Sequence, residues 1–135
     1  MCIAAACYLL VLAGCPEEEL ACVEVDLGCD PLYAPTFTNV YEQTLVPTCA
    51  AEGGACHSPE GGKGGIAYSD EDSAYDILLG ITDGRPRVIP FDVECSLLVK
   101  RIETTRASKL MPPGDPLSTA EKCSIEQWIA NGAER

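Results

Sequence analysis

The chain has 135 residues, of which 47% are hydrophobic, with nine cysteines and a net charge of −12. That length supports one small domain. The acidity and the lack of a basic cluster exclude nucleic acid as a partner, and the cysteine count excludes a reducing cytosol. An acidic surface keeps a domain soluble and can steer it to basic partners; a plainly solvated surface is the plainer reading of the same charge.

Residues 1–14 form an apolar run, too short to span a bilayer as a mature helix. The run fits the hydrophobic part of a secretion signal. Leu12-Ala13-Gly14-Cys15 at its end resembles the bacterial lipobox, in which the signal is cut before the cysteine and the thiol takes diacylglycerol. The resemblance implies an exported protein of the bacterial cell envelope, lipid-anchored through Cys15. Pro16 beside it leans to the outer membrane over the inner. An ordinary cleaved signal is the alternative, and the missing Lys or Arg near Met1 leaves room for an upstream start.

From Cys15 to residue 36 the chain reads as an acidic tether, opened by Pro16-Glu17-Glu18-Glu19 and closed by Pro31 and Pro35. It lacks helical or strand periodicity, and such a segment would lift a domain off a membrane. Residues 37–135 follow as the domain. Val40, Tyr41, Thr44 and Leu45 are spaced for one face of a helix over 37–46, capped by Thr38 or Asn39 and ended by Pro47.

Cys49 and Cys56 then bracket a short loop, and His57, the single histidine, follows directly. Two thiols with an adjacent imidazole are the attachment chemistry of a c-type haem, in which the thiols add to the vinyl groups and the imidazole becomes an axial ligand. The usual spacing between the cysteines is two residues; here it is six. Gly53-Gly54 would let the extra turn bulge outward while the sulfurs keep their places. A Cys49–Cys56 disulfide is the competing state, and a zinc site at these three residues would need a fourth ligand and reduced thiols.

Gly61-Gly62-Lys63-Gly64-Gly65 is a flexible connection, without the Gly-Lys-Ser/Thr ending of a phosphate loop. Ser69 to Asp72 opens a second helix with Ala74, Ile77 and Leu78 inward and Gly80 as a stop. Arg85 to Pro90 reads as an extended loop. Cys95 to Ile102 is a third helix carrying Leu97, Leu98 and Ile102, and Met111-Pro112-Pro113-Gly114 is a rigid loop. Ser118 to Glu121 is a capping box opening a last helix, with Ile125, Trp128 and Ile129 inward and Asn131-Gly132 at its end. The predicted fold is mainly α, with about four helices and long loops.

Cleavage removes Cys2 and Cys7, and lipid takes Cys15, so six cysteines remain. An even number in an exported chain suggests full pairing. The simplest pairing is local: Cys22 with Cys29, Cys95 with Cys123, and Cys49 with Cys56 unless that pair holds haem.

In order and spacing, residues 37–133 resemble the small monohaem c-type cytochrome domain of exported planctomycete and myxobacterial proteins. The pieces that carry the resemblance are Cys49, Cys56-His57, Gly64-Gly65, Pro90, Ser96-Leu97-Leu98, Met111-Pro112-Pro113, Leu117-Ser118 and Trp128 to Ala133. It implies one covalent haem c on Cys49 and Cys56, with His57 and Met111 as iron ligands. Met111 is the only methionine after the first residue; without the Cys-His context it would read as an ordinary packing residue. The implied function is electron transfer with a redox protein partner and no catalytic residue. The competing function is a haem-free, disulfide-stapled lipoprotein domain with a structural or interaction role.

Overall fold

The computed structural model describes residues 19–51 and 56–135. Cys15, expected to carry lipid, with the expected signal before it, and Gly53-Gly54, lie outside them. The described residues hold four α-helices and no strand, in agreement with the mainly α prediction. None of these helices is long and apolar enough to cross a membrane.

Helix α1 (Phe37–Val40) is capped by Thr36, whose side chain accepts from the Asn39 amide, and not by Thr38 or Asn39 as the sequence suggested. It does not stop at Pro47. The helical path continues through Tyr41–Cys49 with π geometry and Pro47 inside it. Proline has no N–H to donate, and in an α-helix its ring would press on the preceding turn. The wider π turn relieves this, and the Ala50 amide reaches back five residues to the Leu45 carbonyl at 2.8 Å. The consequence is positional: Cys49 sits at the end of a helix rather than in a loop.

Helix α2 (Glu71–Leu78) starts at Asp70, whose carboxylate accepts from the Ser73 amide. It ends at Gly80, which has φ +71°. A Cβ there would lie 2.5 Å from the backbone nitrogen of Pro86, so glycine is what lets the Arg85–Val88 segment return across the helix end. Helix α3 (Leu97–Glu103) begins two residues after Cys95. The hydroxyl of Ser96 ties the preceding turn instead, accepting from the Ile89 amide and donating to the Asp92 carbonyl. Helix α4 (Thr119–Ala130) carries the expected capping box between Ser118 and Glu121.

Phe37, Val40, Leu45, Leu78, Val88, Val99, Ile125, Trp128 and Ile129 form the core. Phe37 packs on Trp128 at 5.2 Å and edge-on to Tyr75 at 5.0 Å between ring centroids. Burial of such rings is the largest favourable contribution a domain of this size has.

The cysteines pair differently from the sequence reading. Cys22 is joined to Cys95 and Cys29 to Cys123; neither Cys22–Cys29 nor Cys95–Cys123 forms. Residues 22–36, read as part of a free tether, are therefore a strap across the heads of α3 and α4. The Val23 amide donates to Glu94 O at 3.0 Å, the Leu32 amide to Ala120 O at 2.9 Å, and the Gln127 side-chain amide to the carbonyls of Leu27 and Cys29. Tyr33 is buried, with its hydroxyl 2.6 Å from Thr44 Oγ1. Local pairing ignored this apposition. Once the strap lies on the helices, the near partner of each cysteine is the one across it.

Candidate functional site

The π turn delivers Cys49, and Cys56 and His57 begin the next described segment. The His57 amide donates to the Cys49 carbonyl at 3.2 Å. This bond closes the base of the six-residue loop, so the long spacing still leaves the two cysteine segments side by side. Beyond it, the Lys63 amide donates to Cys56 O at 2.9 Å and the Tyr68 amide to His57 O at 2.8 Å. The backbone of Cys56-His57 is thus held from both sides.

The imidazole is oriented as well. His57 Nδ1 lies 3.3 Å from the Ile66 carbonyl. A carbonyl can only accept, so in the neutral ring the proton sits on Nδ1 and the Nε2 lone pair is left available. An outer hydrogen bond of this kind is the usual partner of a metal-ligating histidine.

His57 lies on the wall of a cavity of about 310 Å³, and both Cys49 and Met111 line the same cavity. Ile66, Tyr68, Leu78, Leu97, Leu98 and Ile102 make most of its wall apolar. Met111 is half-buried, and its amide donates to the Arg101 carbonyl of α3 at 2.9 Å. Cys56 is half-buried beside His57.

Cys49 and Cys56 are both free thiols, unlike the four strap cysteines. Burial, then the neighbouring Cys56 and Glu121, push the Cys49 thiol up to about 12. It stays neutral near pH 7, and a neutral thiol is a poor partner for disulfide formation. Burial likewise holds the Tyr68 phenol protonated.

Four cations also reach this cavity: Lys63, Arg85, Arg87 and Arg101. The sequence reading missed them. Four of the nine Lys and Arg residues of an acidic chain gather at one cavity, and the only hint was the close Arg85-Pro86-Arg87 run. Arg87 is buried. Its Nη1 donates to the carbonyls of Ile77 and Arg85, and both Nη atoms bond Asp83 at 2.7 Å. That pairing, led by the Arg87 hydrogen bonds, keeps the Asp83 carboxyl well below the usual range. Arg85 bonds the other face of Asp83 at 3.2 Å.

Among the described residues no three His, Cys, Asp or Glu side chains gather as a metal-binding group. What the site offers is one imidazole, one thioether, two thiols and an apolar wall with a cationic border. A mainly helical domain carrying that set resembles a c-type cytochrome domain. Residues 54–115 match the family described as Planctomycete cytochrome C, so the resemblance read from the sequence stands. The matched stretch starts after Cys49 and includes Cys56, His57 and Met111. Neither a curated protein nor a solved structure matches the chain.

Proposed function

We propose that the domain holds one haem covalently, through thioethers at Cys49 and Cys56, with His57 and Met111 as the residues that would hold its iron, and that it transfers single electrons. One observation carries the reading: Met111, distant in sequence from Cys49 and His57, lines the same largely apolar cavity as they do. The donor set fits the group. Thiols left unpaired in a disulfide-forming chain can be spent on thioethers, the Ile66 carbonyl leaves Nε2 for iron, and the cationic border suits the two haem carboxylates.

When bound, the haem supplies a one-electron couple, whose potential imidazole–thioether ligation raises. The residues of the chain bind and orient it. His57 is held by Ile66, Met111 by the backbone of α3, and the leucine and isoleucine wall excludes water. Arg87, already fixed by Asp83 and two carbonyls, is pre-organised for a carboxylate. The proposal assigns no catalytic residue, because electron transfer needs no general base. The haem-free alternative joins Cys49 to Cys56, so their free thiols support the haem reading.

The test is an absorbance spectrum of protein made in a host with cytochrome-maturation machinery. A Soret band that survives denaturation and acid-acetone extraction is the expected result. Colourless protein with a Cys49–Cys56 disulfide, from two hosts with different machinery, would reject the haem.

The proposal extends to place. Two long-range disulfides fit an oxidising compartment, and Leu12-Ala13-Gly14-Cys15 supports lipidation at Cys15, with the domain on the bacterial envelope, outer membrane before inner. Its redox partner is a protein, and the acidic surface would favour a basic one. Cys15→Ser is expected to release the protein into the soluble fraction or leave the signal uncut. A variant that still partitions with membranes and has a normally processed terminus rejects the anchor.

A further inference from the structure

One buried titratable group plays no part in the cavity. Glu126 of α4 is 5% exposed, and its Oε1 has no hydrogen-bond partner. Glu103, the last residue of α3, acts on its carboxyl as a neighbouring negative charge. Lys122, one turn earlier on α4, pairs with Glu103 Oε1 at 3.1 Å. Asp26 of the strap adds a further negative charge. Two neighbouring carboxyl groups at a buried contact favour the state in which one keeps its proton. A single lysine offsets one negative charge, and burial penalises the second.

The same end of α3 supports the cavity. Leu97, Leu98, Arg101 and Ile102 line it. The Arg101 carbonyl receives the Met111 amide, and the Arg101 guanidinium donates to the Lys109 carbonyl at 3.3 Å. The Met111 segment therefore hangs on the turn of helix that ends at Glu103.

We propose that the Glu103–Glu126 pair is a proton-binding site that fastens α3 to α4, and that losing its proton loosens the last turn of α3 and the Met111 segment with it. Burial first, then Glu103, raise the folded-state pKa of Glu126 from 4.5 to about 7. The folded protein binds this proton more tightly than the unfolded chain does. Its contribution to stability is therefore lost as pH rises from 4.5 through about 7. Two carboxylates then share the α3–α4 contact with only Lys122 to offset them. With Met111 on iron, the potential would fall over the same window; that consequence alone rests on the haem reading.

Hydrogen exchange of the disulfide-intact chain without haem tests the proposal separately from that reading. The Met111 amide, corrected for intrinsic exchange, is expected to lose about tenfold protection between about pH 5.5 and about pH 8.5. Glu126→Gln should remove that loss, and Lys122→Met should move it to higher pH by removing the neutralising charge. Carboxyl carbon NMR of the unmodified protein gives the Glu126 midpoint directly and decides the matter if the Gln variant does not fold. Protection that is independent of pH, an equal loss in Glu126→Gln, or a Glu126 midpoint in the ordinary carboxylate range overturns the proposal. None of these outcomes bears on whether haem binds.

Discussion

Replacing His57 with alanine is expected to reduce stably bound haem to background while the protein stays folded. The imidazole touches the aromatic core only at its edge, against Tyr68 at 5.7 Å between ring centroids; Phe37, Tyr75 and Trp128 pack on one another elsewhere, and the two disulfides fasten the strap without it. What the substitution removes is the oriented Nε2 and the hydrogen bond to Ile66 that sets it. Far-ultraviolet circular dichroism should be near normal, and Soret absorbance per polypeptide should vanish. Met111→Ala should behave differently. Covalent haem remains, because the thioethers are untouched, but the sixth position opens. The near-infrared band of a thioether–iron bond disappears, and the midpoint potential falls as water or another weak ligand enters. Full Soret intensity in His57→Ala, or an unchanged near-infrared band in Met111→Ala, would remove that residue from the ligand set.

The second large effect concerns the strap. Cys29–Cys123 spans a sequence separation of 94, and Cys22–Cys95 one of 73. Loops of that size lower the entropy of the unfolded chain by about 4–5 kcal/mol each on a chain-entropy basis. The total stability of a small domain is about 5–15 kcal/mol, so losing one bridge is severe and losing both should leave the chain largely unfolded at room temperature. Cys29→Ser with Cys123→Ser is expected to move the urea midpoint down by the equivalent of about 4 kcal/mol. Peptide mapping without reduction should find Cys22 joined to Cys95. A Cys22–Cys29 peptide, or a midpoint that hardly moves, would show that the strap is not fastened in this way.

Much of this was legible in the linear chain because the signals are local. Ser118 and Glu121 meet within one turn, so a capping box is visible in four letters and is present as read. The apolar spacing of the last helix put Ile125, Trp128 and Ile129 inward, and all three are buried. The single histidine beside a cysteine, and the single late methionine before two prolines, singled themselves out by chemistry and scarcity. Both line the cavity.

What only the tertiary structure decided is non-local. Pro47 reads as a helix end by local sterics, yet a π turn carries the helix through it and places Cys49 at the site. Cys22 and Cys29 look like partners when only separation along the chain is counted. The strap hydrogen bonds bring each beside a residue more than seventy positions away. The cationic border was dispersed over Lys63, Arg85, Arg87 and Arg101, and Arg87 reached the wall because Gly80 lets the Pro86 backbone pass close. Glu126 is buried on α4 with an unpartnered Oε1, and no local pattern marks it. Periodicity and capping depend on neighbours within a turn, and the sequence states those neighbours. Pairing, charge gathering and the burial of a carboxyl depend on which segments meet, and that is fixed by how the helices and strap pack.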